Sequence, residues 1–168
     1  TSGAVNPLAA VTTILPGLRN PMTWTWNLGF QRELPGGMIL DAAYVGTRAL
    51  RQFINEQLNP GVDSVRIHPE RGSVVARTNG GDSIYHSLQT RLERGMKNGL
   101  LFRFAYTYSK AIDNVASEVF VTTGGASRAS NPFDRSIDRS VAGFDVPHRA
   151  VWSFVYDIPG PKEGLAEQ

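Results

Sequence analysis

The chain has 168 residues, and 17 Lys plus Arg against 15 Asp plus Glu leave a net charge of only +2. That length fits one domain; so even a balance supplies no concentrated basic stripe for nucleic acid, and 41% hydrophobic against 19% charged residues excludes a solvated disordered chain. Zero cysteines remove disulfides, thiolate metal sites, iron–sulfur clusters and cysteine nucleophiles. No stretch reaches the ~18 to 20 consecutive apolar residues of a membrane helix, which leaves open membrane strands needing only ~9 to 11. Residues 1–16 lack the charged n-region and apolar core of a secretory signal, so the chain reads as processed or as a piece of something longer.

Five segments alternate apolar and polar residues with period two between turn residues, the pattern of β-strands. The first, about 22–34, places Trp24, Trp26, Leu28 and Phe30 on one face and Thr23, Thr25, Asn27 and Gln31 on the other. The second, about 38–50, sets Met38, Leu40, Ala42 and Tyr44 against Asp41, Ala43 and Val45. The third, about 83–93, sets Ile84, Leu88 and Leu92 against Ser87, Gln89, Arg91 and Glu93. The fourth, about 100–109, is the clearest, with Leu100, Phe102, Phe104, Tyr106 and Tyr108 opposite Arg103, Ala105, Thr107 and Ser109. The fifth, about 149–158, has Ala150, Trp152, Phe154, Tyr156 and Ile158 opposite Arg149, Ser153 and Asp157.

Of the 16 aromatic residues, 11 fall on the apolar faces and only Tyr85 on a polar one. A soluble sandwich sorts its side chains in the same way, so the connections must decide. Pro35, Gly36 and Gly37 join the first two strands, and a short turn around 94–99 joins the third and fourth, whereas 51–82 and 110–147 are long. This strict alternation predicts an antiparallel up-and-down meander, short turns at one end and long external loops at the other, as in a large transmembrane outer-membrane β-barrel. In that topology Trp24, Trp26, Tyr44, Tyr106, Tyr108 and Trp152 gather near the external rim as an aromatic girdle at headgroup depth. The apolar faces then meet lipid, and Gln31, Asp41, Gln89, Arg91, Glu93 and Arg103 face a wet lumen, where the first three with Arg91 and Arg103 are candidates for ligand contact.

Four stretches also resemble the TonB-dependent outer-membrane receptors, specifically the Oar-like branch with an N-terminal carboxypeptidase-regulatory-like domain. They are WNLGFQRELPG at 26–36 with AYVGTR at 43–48; LNPG at 58–61; FAYTYSKAIDN at 104–114; and NPFD at 131–134, DR at 138–139 and FDVPHR at 144–149, ending in VYDIP at 155–159. The resemblance covers most of 21–161 in order. It implies a barrel of about 22 strands closed around a plug, of which this chain is a partial barrel domain without plug or TonB-contacting box. It also implies energised substrate uptake in the bacterial outer membrane, with outer-membrane lipid, the rest of the barrel and its plug, and TonB as partners, no nucleic acid and no cofactor.

No bond chemistry is expected. Asp134, Asp138, Asp145 and His148 could in principle bind a metal or move protons, but their spacing fits neither a calcium loop nor a zinc helix. The preferred reading makes them structural, the carboxylates pairing Arg135, Arg139 or Arg149 and pinning the external loop to the rim. Asp82, Ser83, His86 and Ser87 lack a nucleophile elbow. The rival readings are a passive porin-like or adhesion barrel, and a soluble carbohydrate-binding β-sandwich.

Overall fold

A computed structural model describes residues 6, 8–62, 65–114 and 134–160. Its strands are β1 (Val11–Ile14), β2 (Met22–Leu34), β3 (Met38–Gln57), β4 (Gly61–Val62), β5 (Val65–Arg66), β6 (Val74–Lys97), β7 (Leu100–Asp113), β8 (Ser140–Val141) and β9 (His148–Tyr156). Seven form one sheet in the order β2, β3, β6, β7, with both β8 and β9 on the far side of β7; β4 and β5 make a separate two-stranded hairpin. The fold is thus the expected all-β antiparallel meander in chain order, and the sheet does not close on itself.

The turns explain the meander. Gly36 and Gly37 adopt φ of 89° and 73° between β2 and β3. Asn98 and Gly99, at φ 53° and 75°, connect β6 to β7, the two-residue turn with positive φ at both positions whose twist matches antiparallel strands. β6 therefore runs to Lys97, and the turn is tighter than the 94–99 expected.

Three strands are longer than the sequence reading. β3 continues to Gln57 and β6 begins at Val74, so the loop expected over 51–82 contracts to 58–73 and itself contains the β4–β5 hairpin. β7 likewise continues to Asp113, and the return to β9 carries a 3₁₀ turn over Arg135–Asp138 and the short β8. The extensions are rich in polar residues (Arg51, Gln52, Asn55, Glu56, Gln57, Arg77, Asn79), and their apolar residues, Phe53–Ile54 and Val74–Ala76, are adjacent instead of alternating, so no period-two stripe reveals them. A further departure is β1, which pairs in parallel with Val74–Arg77 of β6. The carbonyls of Ser73 and Arg77 accept from Val11 and Leu15, while that of Val74 accepts from Leu58 beside β3, so β1 covers the edge of β6 opposite β3.

The chain divides into two compact units. The first comprises Thr1–Trp26, Gly46–His86 and Lys110–Asp145; the second comprises Asn27–Val45, Ser87–Ser109 and Val146–Gln168 and contains both tight turns. Among the described residues the buried hydrophobic side chains are Ala49, Ile54, Ala76, Ala111 and Ala142, and no large side chain is fully buried. Leu28 is 77% and Trp152 71% exposed. A sandwich in water would bury such residues against a second sheet, and among the described residues the only other sheet is the β4–β5 hairpin.

Candidate functional site

In the second unit, alternate residues of three adjacent strands carry a chain of charges. Asp41 of β3 receives Arg91 of β6 through Nε and Nη2 at 2.9 and 2.6 Å, both on Oδ2. Arg91 also lies 3.8 Å from Glu93, whose Oε2 meets Nε of Arg103 on β7 at 3.3 Å. All four are odd-numbered, so the period-two alternation that places them together also places them opposite Leu92, Phe102 and Phe104. Two arginines and two carboxylates make a neutral ladder with well-exposed arginines, and such pairs contribute only about 0 to 1 kcal/mol each. Their physical effect is a hydrated face of alternating charge that can offer donors and acceptors to a polar solute without a strong net field. Gln89 donates to Ser87 Oγ on β6, and Gln31 is exposed on β2.

The opposite face is aromatic. Register pairs Leu100 with Tyr156, Phe102 with Phe154, Phe104 with Trp152 and Tyr108 with His148, an apolar ladder along β7 and β9. Tyr106 and Tyr108 flank the His148 ring at 6.2 and 5.1 Å between centroids, and Tyr106 Oη lies 2.8 Å from His148 Nδ1. Trp152 stands opposite Phe104 and so shares its depth, two residues along β7 below the Tyr106 row and four below Tyr108, rather than joining them at the rim as expected. In the first unit Trp26 meets the His86 ring edge-on at 6.1 Å. A Cβ at Gly46 would fall within the Trp26 indole, so only glycine admits that ring. Trp24, Tyr44 and Tyr108 are exposed like Trp26.

The acidic candidates do not converge. Asp134 accepts from the hydroxyl and backbone N–H of Ser136, which hold its carboxyl below the usual range. Asp145 accepts from the N–H of Ala111 at 2.8 Å, and His148 joins the tyrosines. Among the described residues no group of three His, Cys, Asp or Glu could hold a metal ion. The expected partners also differ: Arg135 pairs with Glu56, and Arg139 with Asp82. Asp134 is satisfied by its neighbour Ser136 and Asp145 by an amide of β7, and the two loop arginines reach strand carboxylates.

Sequence reasoning missed the residues that hold the connections. Asn59, 3% exposed, accepts from His68 N–H at 2.9 Å and donates to the carbonyls of His68, Arg71 and Gly72. Gln57 beside it accepts from Val74 N–H and donates to Ser73 Oγ. An Asn before Pro60 and Gly61 was the available signal of such a turn. The first unit also contains a cavity of about 250 Å³ lined by Thr47, Ser83, Tyr85, Ala111, Ala142 and Phe144 among others, which accounts for the single aromatic on a polar face. It is smaller than the ~300 to 1,000 Å³ of ordinary ligand pockets.

A family model described as outer membrane beta barrel domain matches residues 1–167. The chain belongs to that family. Membership places this outer membrane barrel chain in the bacterial outer membrane and gives the strand lengths, exposed aromatics and charge ladder one setting. No curated protein sequence matches the barrel chain. Among solved structures it is similar to the outer membrane transporter YddB from Escherichia coli, at 17% identity and a TM-score of 0.48, covering 67% of this chain and 14% of that one.

Proposed function

We propose that this chain is a segment of the barrel of a TonB-dependent, Oar-like transporter that takes up substrate with energy passed from the inner membrane. The reading is supported by where the family-like stretches fall: each supplies a residue that locks part of the barrel. Gly46 of AYVGTR admits Trp26 of WNLGFQRELPG. Asn59 of LNPG latches the 58–73 connection. Asn114, which ends FAYTYSKAIDN, accepts from Asp82 N–H and donates to the carbonyls of Asp82 and Gly80. Asp145 of FDVPHR caps the N–H of Ala111. Residues 131–133 of the last stretch lie outside the described residues.

In this reading the long connections capture substrate, the odd-numbered ladder of Asp41, Arg91, Glu93 and Arg103 lines its passage with Gln31 and Gln89, and the even-numbered aromatic face meets lipid. Plug and TonB contact belong to other parts of the protein. The observation that carries the reading is the opposition of that neutral charged ladder to the aromatic face within an outer-membrane family chain. The test uses the intact protein: calorimetric titration with the periplasmic domain of TonB is expected to give saturable binding, and planar bilayers no steady conductance. Steady conductance without TonB binding would favour the passive porin-like barrel instead.

A further inference from the structure

We propose that Arg48 and Arg139, held together on the single carboxylate of Asp82, form a docking site for the phosphate of an outer-leaflet lipid headgroup. Arg48 Nη2 donates to Asp82 Oδ2 at 3.1 Å and Arg139 Nη1 to Oδ1 at 3.0 Å. Two cations thus share one anion, both carboxylate oxygens are engaged, and the triad keeps a charge of +1. The arginine side chains are 47% and 42% exposed against 21% for Asp82, so the triad presents its guanidiniums rather than its carboxylate. These contacts engage one terminal nitrogen of each guanidinium, whose planar fork has five N–H donors and matches phosphate geometry.

The carboxylate is fixed in place. Asp82 N–H donates to Asn114 Oδ1 at 2.7 Å, and Asn114 N–H donates back to the Asp82 carbonyl. Position is equally defined: Gly46 underlies Trp26, Trp26 touches His86, and Arg48 follows Gly46 by two residues on β3, so its side chain leaves the sheet on the aromatic face. An aromatic face at headgroup depth in an outer-membrane chain has lipid as its neighbour. A paired guanidinium beside it meets phosphate at that depth, and two donors aimed at one phosphate give a short charge-assisted contact. The occupant is therefore a lipid phosphate rather than a dissolved one. This inference goes beyond energised uptake; it needs only the aromatic face to meet lipid, which Phe104→Arg tests separately.

The test places the intact protein in phosphatidylcholine nanodiscs containing a bis-phosphorylated lipid A and follows the ³¹P linewidths of the lipid A phosphates. Broadening is expected with the parent, reduced about five-fold or more in Arg48→Gln/Arg139→Gln, with strand content checked by circular dichroism. Arg139→Lys keeps the charge but loses the fork and should fall between, which keeps the idea testable if the double variant misfolds. Equal broadening by parent and double variant would overturn the site in favour of diffuse attraction. Abolition by excess inorganic phosphate would reassign it to a dissolved anion, and absence of broadening with the parent would reduce the triad to a loop clamp.

Discussion

In the unit formed by Asn27–Val45, Ser87–Ser109 and Val146–Gln168, charged side chains face one another across neighbouring strands and remain wet, as in Asp41, Arg91, Glu93 and Arg103. In the unit formed by Thr1–Trp26, Gly46–His86 and Lys110–Asp145, polar groups instead tie a connection to a strand or to itself. Examples are Arg135 on Glu56, Arg139 on Asp82 and Asn59 on the 68–72 backbone. The difference is one of dependence on solvent. A hydrated ladder costs little to make and little to lose, whereas a buried amide with several backbone partners leaves them unsatisfied when removed.

The largest effect should separate the faces of one strand. Phe104→Arg in the intact barrel is expected to cost about 2 to 4 kcal/mol, the penalty for a cation near the bilayer midplane. Arg103→Phe should cost less than about 1 kcal/mol, because it removes only an exposed pair with Glu93. Reversible unfolding in lipid vesicles compares them, and a reversed order would mean that the two faces are interchanged.

Next comes the latch. Asn59→Ala should cost about 2 kcal/mol by stranding the backbone groups it serves. Hydrogen exchange should then speed at the His68 amide and stay unchanged along β7 and β9. If β7 and β9 respond equally, the latch is not local.

Gly46→Ala is expected to cost about 1 to 2 kcal/mol through overpacking against Trp26. The penalty should shrink in a Trp26→Ala background, a coupling that a double-mutant cycle measures directly. Smallest of all, Arg91→Gln should leave the unfolding midpoint nearly unchanged, and any difference should fade as salt is raised. A large, salt-independent loss would show that the ladder is structural after all.

Much of this organisation was legible as alternation. The apolar middles of β2, β3, β6, β7 and β9 are written in every second residue, and the same parity puts Asp41, Arg91 and Arg103 on one face. Parity fails where no period-two stripe marks the strand: in residues 51–57 and 74–82 the apolar residues Phe53–Ile54 and Val74–Ala76 are adjacent instead of alternating, and the rest are polar or Gly. It also drew the turn over 94–99, where Asn98–Gly99 alone make it. Proximity in sequence does not bring the acidic candidates to one partner either: Asp134 serves its neighbour Ser136, whereas Asp145 reaches Ala111 and His148 reaches Tyr106. The real loop contacts span long separations, 79 residues for Arg135 to Glu56 and 57 for Arg139 to Asp82, which no local pattern encodes.

The two tight turns also give the sheet a kinetic grain. With only two residues between β6 and β7, closing that hairpin has little chain entropy to overcome, and hairpins of this kind form in about 1 to 10 μs. The turn at Gly36 and Gly37 does the same for β2 and β3. Joining β9 to β7, by contrast, must wait for everything between Asp113 and His148 to fold back, and β1 must find Val74–Arg77 some sixty residues away. The chain thus acquires its sheet as two quickly formed panels. Their junction and their later neighbours set the pace, so a defect in either turn would slow the whole only where that hairpin came to form more slowly than the long-range joins.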